Sequence, residues 1–356
     1  MIESPFARAL LYVPAKLYEL VVKARILAYE QGLFKTHYLN APVISVGNLT
    51  VGGTGKTPCV AFIALALRDA GHQVAILSRG YKRQTTNRVE VSDGKQILYS
   101  PAESGDEPFL LAQTCPGVRV VVDHDRFAAG RWLEENRATV SAFILDDAYQ
   151  HLRLARDLNL LLVDATEPLS QAAMIPFGRL REPLPELRRA DAVIVTRSDQ
   201  KFDRSGLIEI IKRHAAPHIP IFFAHHEMTR FRQLCSSNTK SLSEFAGNKI
   251  AAVSGIAKPE RFNGDLQNAG LKIVYRRDFP DHHRYSSADF AEVTGAAMAA
   301  NAEAIIVTEK DAVNLPQELL QQSSLPVFAA QIEFRCSETS RFIEMILTAT
   351  AQNSKR

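Results

Sequence analysis

The sequence predicts an α/β fold: a doubly wound, mostly parallel sheet, with a second, smaller α/β domain joined to it by a two-stranded ribbon. Three observations carry this. Short apolar runs alternate with helical stretches, a glycine-rich turn separates the first such run from its helix, and the alternation restarts after Glu227. At 356 residues the chain also exceeds the size at which one hydrophobic core usually stops growing.

The first element is a helix from Ala15 to Glu30. Lys16, Glu19, Lys23 and Glu30 recur at helical spacing, while Leu17, Leu20, Val21, Ala24, Leu27 and Ala28 form the opposite stripe, and Pro14 suits a first turn. With Arg8, Arg25 and Lys35 nearby, this helix could lie on an anionic membrane surface; equally, its stripe could pack on the body of the protein. Pro42 to Val46 then reads as a strand and Thr57 to Ala70 as a helix. Further strands are expected at Gln73–Ser78, Val118–Asp123, Val140–Asp146, Leu158–Asp164 and Asp191–Thr196, all rich in Val, Ile and Leu, as buried parallel strands are. Ligands of such sheets bind at the carboxyl ends of the strands.

Past Glu227 the strands are Ile250–Ser254, Lys272–Tyr275 and Ala304–Thr308. An internal echo sets the boundary. Ile219–Ala224, IPIFFA, resembles Leu325–Ala329, LPVFA, and each runs on toward a phenylalanine, Phe231 or Phe334. Paired as a ribbon, 219–231 and 325–334 would carry the chain out of a first domain (1–224, with 334–356 returning to it) and back from a second (232–325).

Composition narrows the partners and compartment. A net charge of +3 is too small to argue for nucleic acid. Cys59, Cys115, Cys235 and Cys336 lie far apart with no CxxC pair, which speaks for a reducing compartment and against a zinc ribbon. No run reaches the roughly 18 uncharged apolar residues of a spanning helix, and no cleavable signal is legible, so cytoplasm is expected.

The chemistry concentrates in TVGGTGKT, residues 50–57. Strand, glycine loop and helix in that order make a phosphate cradle, the P-loop NTPase arrangement. Gly52, Gly53 and Gly55, with Thr54 among them, let backbone N–H groups converge on anionic oxygens; Lys56 adds a charge that can follow a moving phosphoryl group, and Thr57 a hydroxyl for Mg²⁺. Thr50 stands where the strict motif has glycine.

Phosphoryl transfer also needs acids for metal and a group to take a proton. AFILDD, residues 142–147, delivers two carboxylates at a strand's carboxyl end, and either Asp146 or Asp147 could hold Mg²⁺. Gln150, His151, Arg153, Arg156 and Asp157 crowd the next stretch, as a site wall or a solvated loop would. Asp106, Glu107, Arg126, Arg181 and Glu182 are further candidates. In DHHRY, residues 281–285, adjacent histidines on an extended chain face opposite ways, so one histidine held by a carboxylate is the more economical reading.

Together, SVGNLTVGGTGKTP, SRGY, GDEP, LDDAYQH with RDLNLLLVD, LREP, SGIAKPERF, DFPDHHRY and TEKDAVNL resemble, in this order and from Val43 to about Leu315, the tetraacyldisaccharide 4'-kinase family of lipid A biosynthesis. The resemblance implies ATP-dependent, Mg²⁺-assisted phosphorylation of the 4'-hydroxyl of a lipid-linked glucosamine disaccharide 1-phosphate. It implies a peripheral position on the cytoplasmic face of the bacterial inner membrane, which favours the membrane reading of the N-terminal helix; a monomer is expected. It makes Lys56 and Thr57 the phosphate and Mg²⁺ ligands, Asp146 and Asp147 the second acidic motif, and Asp106 a catalytic base paired with His282. Arg126, His151 and Arg181 fall on phosphate-contact positions and Glu182 on a metal-contact one, and Thr50 belongs to the family's own form of the loop. The family's usual DDGFQH is DDAYQH here, and MIPFGRL replaces a more glycine-rich stretch before LREP.

A rival reading starts from VIVTRSD, residues 193–199, which resembles the base-reading TKxD signature of regulatory or metal-chaperone GTPases. Against it, Arg197 replaces the lysine whose stem packs on guanine, and no Cys/His cluster offers a metal to deliver.

Overall fold

The computed structural model describes residues 5–136, 139–169, 172–236 and 238–352; the side chains of residues 5–9, Arg8 among them, lie outside the described set. Among the described residues thirteen strands form one sheet. In chain order they are β1 (Val43–Asn48), β2 (Val74–Ser78), β3 (Val89–Asp93), β4 (Arg119–Val122), β5 (Ala142–Asp146), β6 (Leu158–Asp164), β7 (Ala192–Thr196), β8 (Ile221–Gln233), β9 (Thr239–Ser241), β10 (Lys249–Ser254), β11 (Lys272–Asp278), β12 (Ala304–Thr308) and β13 (Val327–Cys336). Their order across the sheet is β11-β10-β12-β13-β8-β7-β6-β1-β5-β2-β4-β3, with β9 added on β8.

Pairing is parallel throughout β2, β5, β1, β6 and β7 and again from β10 to β13. The central strands are buried along their whole length, which is why they read as unbroken apolar runs. Two strands have no counterpart in the sequence reading: the short β9, and VEVSD, which carries Glu90 and Asp93 and pairs antiparallel with β4 at the sheet's edge, where its charges reach solvent or Arg119.

β1 sits between β5 and β6. The chain leaves β1 toward β2 and β4, returns to β5, then crosses to β6 and β7, so the crevice at the carboxyl end of β1 is a topological switch point. The helix Lys56–Asp69 starts there and buries Cys59, Val60, Ile63, Ala64 and Leu67 in a cluster shared with Phe342 and Ile346 of the C-terminal helix Thr339–Gln352.

β8 and β13 pair antiparallel from Ala224↔Cys336 to Gln233↔Phe328, with a register shift between Gln331 and Ile332. The apolar clusters divide along this ribbon. Three gather residues 15–224 with 334–346, and two gather residues 228–330. Phe222 and Phe334 belong to the first group and Met228, Phe231 and Phe328 to the second, so the division falls at the Glu227↔Glu333 pair.

The N-terminal helix differs from expectation in its bounds. It runs from Pro5 to Glu30, so Pro14 lies inside it, not in its first turn. Pro14 is exposed, and the bond it cannot donate costs one carbonyl that solvent can reach. Its packed face is Ala15, Val22 and Ile26, whereas Leu17 (62% exposed), Leu20 (64%), Val21 (59%) and Leu27 (50%), the stripe read from the sequence, face outward.

Candidate active site

A cleft of about 2160 Å³ opens beside the carboxyl end of β1, lined from the phosphate loop on one side and from the β10–β12 side on the other. That exceeds the roughly 300–1,000 Å³ of a single small-ligand pocket, leaving room for a nucleotide and a second large substrate.

The phosphate loop is built by backbone and side chains together. Gly52 and Gly55 adopt φ of 113° and 81°, which side-chain-bearing residues rarely tolerate. At Gly55 a Cβ would also lie 2.1 Å from the His226 ring, so the half-buried imidazole of β8 stands directly behind the loop. Burial and then the Arg197 charge push that histidine down to about 4. Thr54 is buried, Gly53 is exposed, and Thr50 lies outside the cleft lining in an isolated bridge with Leu180. Lys56 and Thr57 open the helix, facing the cleft. Lys56 Nζ donates to Asn48 Oδ1 at 3.3 Å and lies 3.5 Å from Asp147 Oδ1.

The two adjacent aspartates are separated chemically. Asp146 ends β5, fully enclosed, with one oxygen accepting from Ser78 Oγ at 2.9 Å and the other without a partner. Burial, then the charges of Glu107 and Asp147, push its carboxyl up to about 7. Asp147 turns the other way at φ 47° and accepts from Arg181 Nη1 at 3.0 and 2.9 Å. Burial acts to raise it too, but Lys56 and Arg181 outweigh that and hold it below the usual carboxylate range. An enclosed, unpartnered carboxylate oxygen in the cleft that Thr57 also lines fits a hard divalent cation. Among the described residues no three His, Cys, Asp or Glu side chains converge as a metal-binding group.

Arg126, His151, Arg181 and Glu182 all line the cleft. Arg126 is buried where the charges of Asp146 and Asp147 reach it. Burial and then the Arg126 and Arg156 charges push His151 down to about 3, so it is a neutral donor or acceptor. Glu182 has one oxygen committed to Arg189 and one unpartnered, and burial raises its carboxyl although Arg189 opposes this.

Asp106 and His282, 176 residues apart, meet across the cleft with His282 Nδ1 2.9 Å from Asp106 Oδ2. Lys310 Nζ lies 3.2 Å from the other ring nitrogen. An ammonium can only donate, so Nε2 accepts and the ring proton belongs on Nδ1, where it is given to Asp106. Burial raises the Asp106 carboxyl, but hydrogen bonds from His282 and Asn314 outweigh it and leave the group below its ordinary value. His282 and Glu107 line the cleft, and Asp106 keeps 16% of its side chain exposed beside them. His283 faces away, 3.1 Å from Asp289 and stacked on Phe279. Lys310 and Asn314 were not singled out from the sequence; TEKDAVNL carried them only as part of a motif.

Arg197 of TRSD is not free to read a base: it donates to Gly53 O at 2.8 Å and to Asp164. The switch-GTPase reading finds no support.

The family described as LpxK, tetraacyldisaccharide-1-P 4'-kinase, matches residues 7–351. Tetraacyldisaccharide 4'-kinase of Geobacter sulfurreducens is 43% identical over 92% of this chain and 89% of that protein. Its counterpart in Syntrophus aciditrophicus is 40% identical over 97% of this chain and 93% of that one. The crystal structure of an "apo" form of LpxK from Aquifex aeolicus in complex with ATP matches with a TM-score of 0.80 at 33% identity, covering 97% of this chain and 99% of that one. A phosphate loop at the switch point of a parallel sheet, an acidic strand end beside it, and this likeness over nearly the whole length agree: the chain belongs to the tetraacyldisaccharide-1-P 4'-kinase family.

Proposed function

We propose that this kinase transfers the γ-phosphoryl group of ATP to the 4'-hydroxyl of a tetraacylated glucosamine disaccharide 1-phosphate, a lipid A precursor, with Asp106 as base. The Asp106–His282 hydrogen bond of 2.9 Å, formed across the cleft that the phosphate loop lines, carries the reading.

The roles follow from charge and reach. Backbone amides of the loop hold the triphosphate, and Lys56 follows the γ-phosphoryl group as charge spreads over its oxygens. Thr57 and Asp146 would hold Mg²⁺, with Asp147 and Glu182 behind them; when bound, the ion neutralises charge on the phosphate oxygens. Arg126, His151 and Arg181 line the phosphate path. Asp106 stays ionised because His282 and Asn314 donate to it, so it can accept the sugar hydroxyl's proton as the loose transition state forms. His282 aims the carboxylate and Lys310 fixes the ring's tautomer.

We also propose two lobes, residues 1–224 with 334–356 and residues 232–325, joined by the ribbon 219–231 and 325–334. The apolar clusters part at the Glu227↔Glu333 pair, beside the register shift at Gln331, where bending disturbs least packing. The N-terminal helix is read as the membrane contact, on the cytoplasmic face of the inner membrane, and the enzyme as a monomer. Four outward aliphatic residues support that contact: each is worth about 1.5–3 kcal/mol if removed from water. Charge contributes less, because Lys16 and Lys23 both pair with Glu19 and each unpaired cation adds about 1 kcal/mol at an anionic surface. Among the described residues no helix is long and apolar enough to cross a membrane.

The test is transfer of labelled γ-phosphate from ATP to a tetraacyldisaccharide 1-phosphate. Asp106→Asn should lower turnover by roughly 10²–10⁴-fold while ATP affinity changes little. A larger loss in Glu107→Gln than in Asp106→Asn would move the base to the neighbouring residue.

A further inference from the structure

The carbonyl side of the phosphate loop is held by side chains from distant segments. Arg179 Nη2 donates to Val51 O at 2.6 Å, Arg197 Nη2 to Gly53 O at 2.8 Å, and Thr196 Oγ1 to Thr54 O at 3.0 Å. A trans peptide is planar, with its N–H opposite its C=O. Pinning these three carbonyls therefore turns the amides of Gly52, Thr54 and Gly55 the other way, as a phosphate cradle requires.

Neither arginine is placed by itself. Arg197 donates to Asp164, the buried last residue of β6, and Arg179 Nη1 donates to Glu167 Oε1 at 2.7 Å. Thr166 ties the loop between those acids, giving its N–H and hydroxyl to Asp164 Oδ1 at 3.0 and 2.7 Å. Both carboxylates are shared with cations from the opposite side of the cleft. Arg261 reaches Asp164 Oδ2 at 3.4 Å and Thr166 Oγ1 at 2.8 Å, and Lys258 reaches Glu167 Oε1 at 2.5 Å. Lys258 stands at the N-cap position and Arg261 in the first turn of the helix Pro259–Asn268, whose buried Phe262 and Leu266 pack in the core of the β10–β12 side.

We infer that Asp164 and Glu167 are positioning residues that couple closure of the cleft to the shape of the phosphate loop. Docking of Lys258 and Arg261 immobilises residues 164–167, which hold Arg197 and Arg179 against the loop carbonyls. By linkage, a triphosphate that binds the set loop favours the closed cleft to the same degree. The Asp106–His282 contact is thereby assembled most completely when nucleotide is present, an ordering that suits a kinase whose acceptor must not be replaced by water.

The experiment is a double-mutant cycle between Arg261→Gln and Asp164→Asn, read by equilibrium binding of ATP without acceptor and by steady-state kinetics. Arg261→Gln should weaken ATP binding and raise the KM for ATP about tenfold, leaving kcat at saturating ATP within about twofold, and Arg261→Lys should recover most of the loss. In the Asp164→Asn background, Arg261→Gln should add less than about twofold. If Arg261 instead touched the triphosphate itself, its loss would be the same in both backgrounds, and such additivity overturns the inference. Unchanged ATP affinity in Arg261→Gln overturns it equally. Should Asp164→Asn fail to fold, the exposed-side cycle of Lys258→Gln with Glu167→Gln gives the same discrimination.

Discussion

The two walls of the cleft are charged on different plans. On the phosphate-loop wall, positive and negative groups answer one another locally: Lys56 with Asp147, Asp147 with Arg181, Glu182 with Arg189. From the opposite wall three side chains reach carboxylates of the first: the His282 ring donates to Asp106, Arg261 pairs with Asp164, and Lys258 lies near both Asp164 and Glu167. The first wall carries the phosphate loop and the carboxylates that answer these groups. The second pairs locally at Lys310 and Asp281, but Arg261 and Lys258 take their carboxylate partners from across the cleft, so under the inferred closure those contacts form as the cleft shuts.

The comparison can be broken most severely within the first wall. Lys56→Ala should lower turnover by about 10³-fold or more, since a charge aimed at the moving phosphoryl group has no substitute there; near wild-type turnover would remove Lys56 from the chemistry. Across the cleft, His282→Ala should cost roughly 10²-fold in turnover with ATP affinity little changed, whereas His283→Ala, whose ring serves Asp289 and Phe279, should stay near wild type. The reverse order of effects would assign the pair to the wrong histidine.

A pH titration sharpens the first wall. The Asp146 carboxyl, raised to about 7 by burial and by Glu107 and Asp147, holds a proton below that pH, and a cation must displace it. Apparent Mg²⁺ affinity should therefore rise about tenfold per pH unit up to about pH 7 and level off above it. Isothermal titration at pH 5.5 to 8 measures this; a flat profile would contradict the reading, and Asp146→Asn should flatten it. The smallest effect tests the outward helix: serine at Leu17, Leu20 and Val21 should release the enzyme from vesicles more than glutamate at Lys16 and Lys23 does. If the order is reversed, attachment is electrostatic.

Legibility followed contiguity. TVGGTGKT and AFILDD were readable because strand, loop and helix lie within one short segment, and their chemistry needs no distant partner to be recognised. Asp106 and His282 were linked only through the resemblance, and neither GDEP nor DHHRY announces that its aspartate or histidine will face the other. VEVSD was overlooked because charged residues at a sheet edge mask a strand's apolar pattern. The N-terminal helix was read with its apolar stripe correctly named and its outcome open, since periodicity identifies a face without saying what covers it. Nothing in the sequence points to Arg179, and Arg197 stands out only as a departure from TKxD; they lie 128 and 144 residues from the carbonyls they hold.

By itself the sequence determined the phosphate loop, the acidic strand end and the alternating order of a parallel sheet, because backbone conformation, burial and strand period are written in neighbouring residues. Only the tertiary structure decided which of two adjacent aspartates is enclosed, which of two adjacent histidines meets Asp106, and which arginines hold the loop. Those outcomes depend on desolvation and on charges converging from separate segments, and both are properties of distance in space, not along the chain.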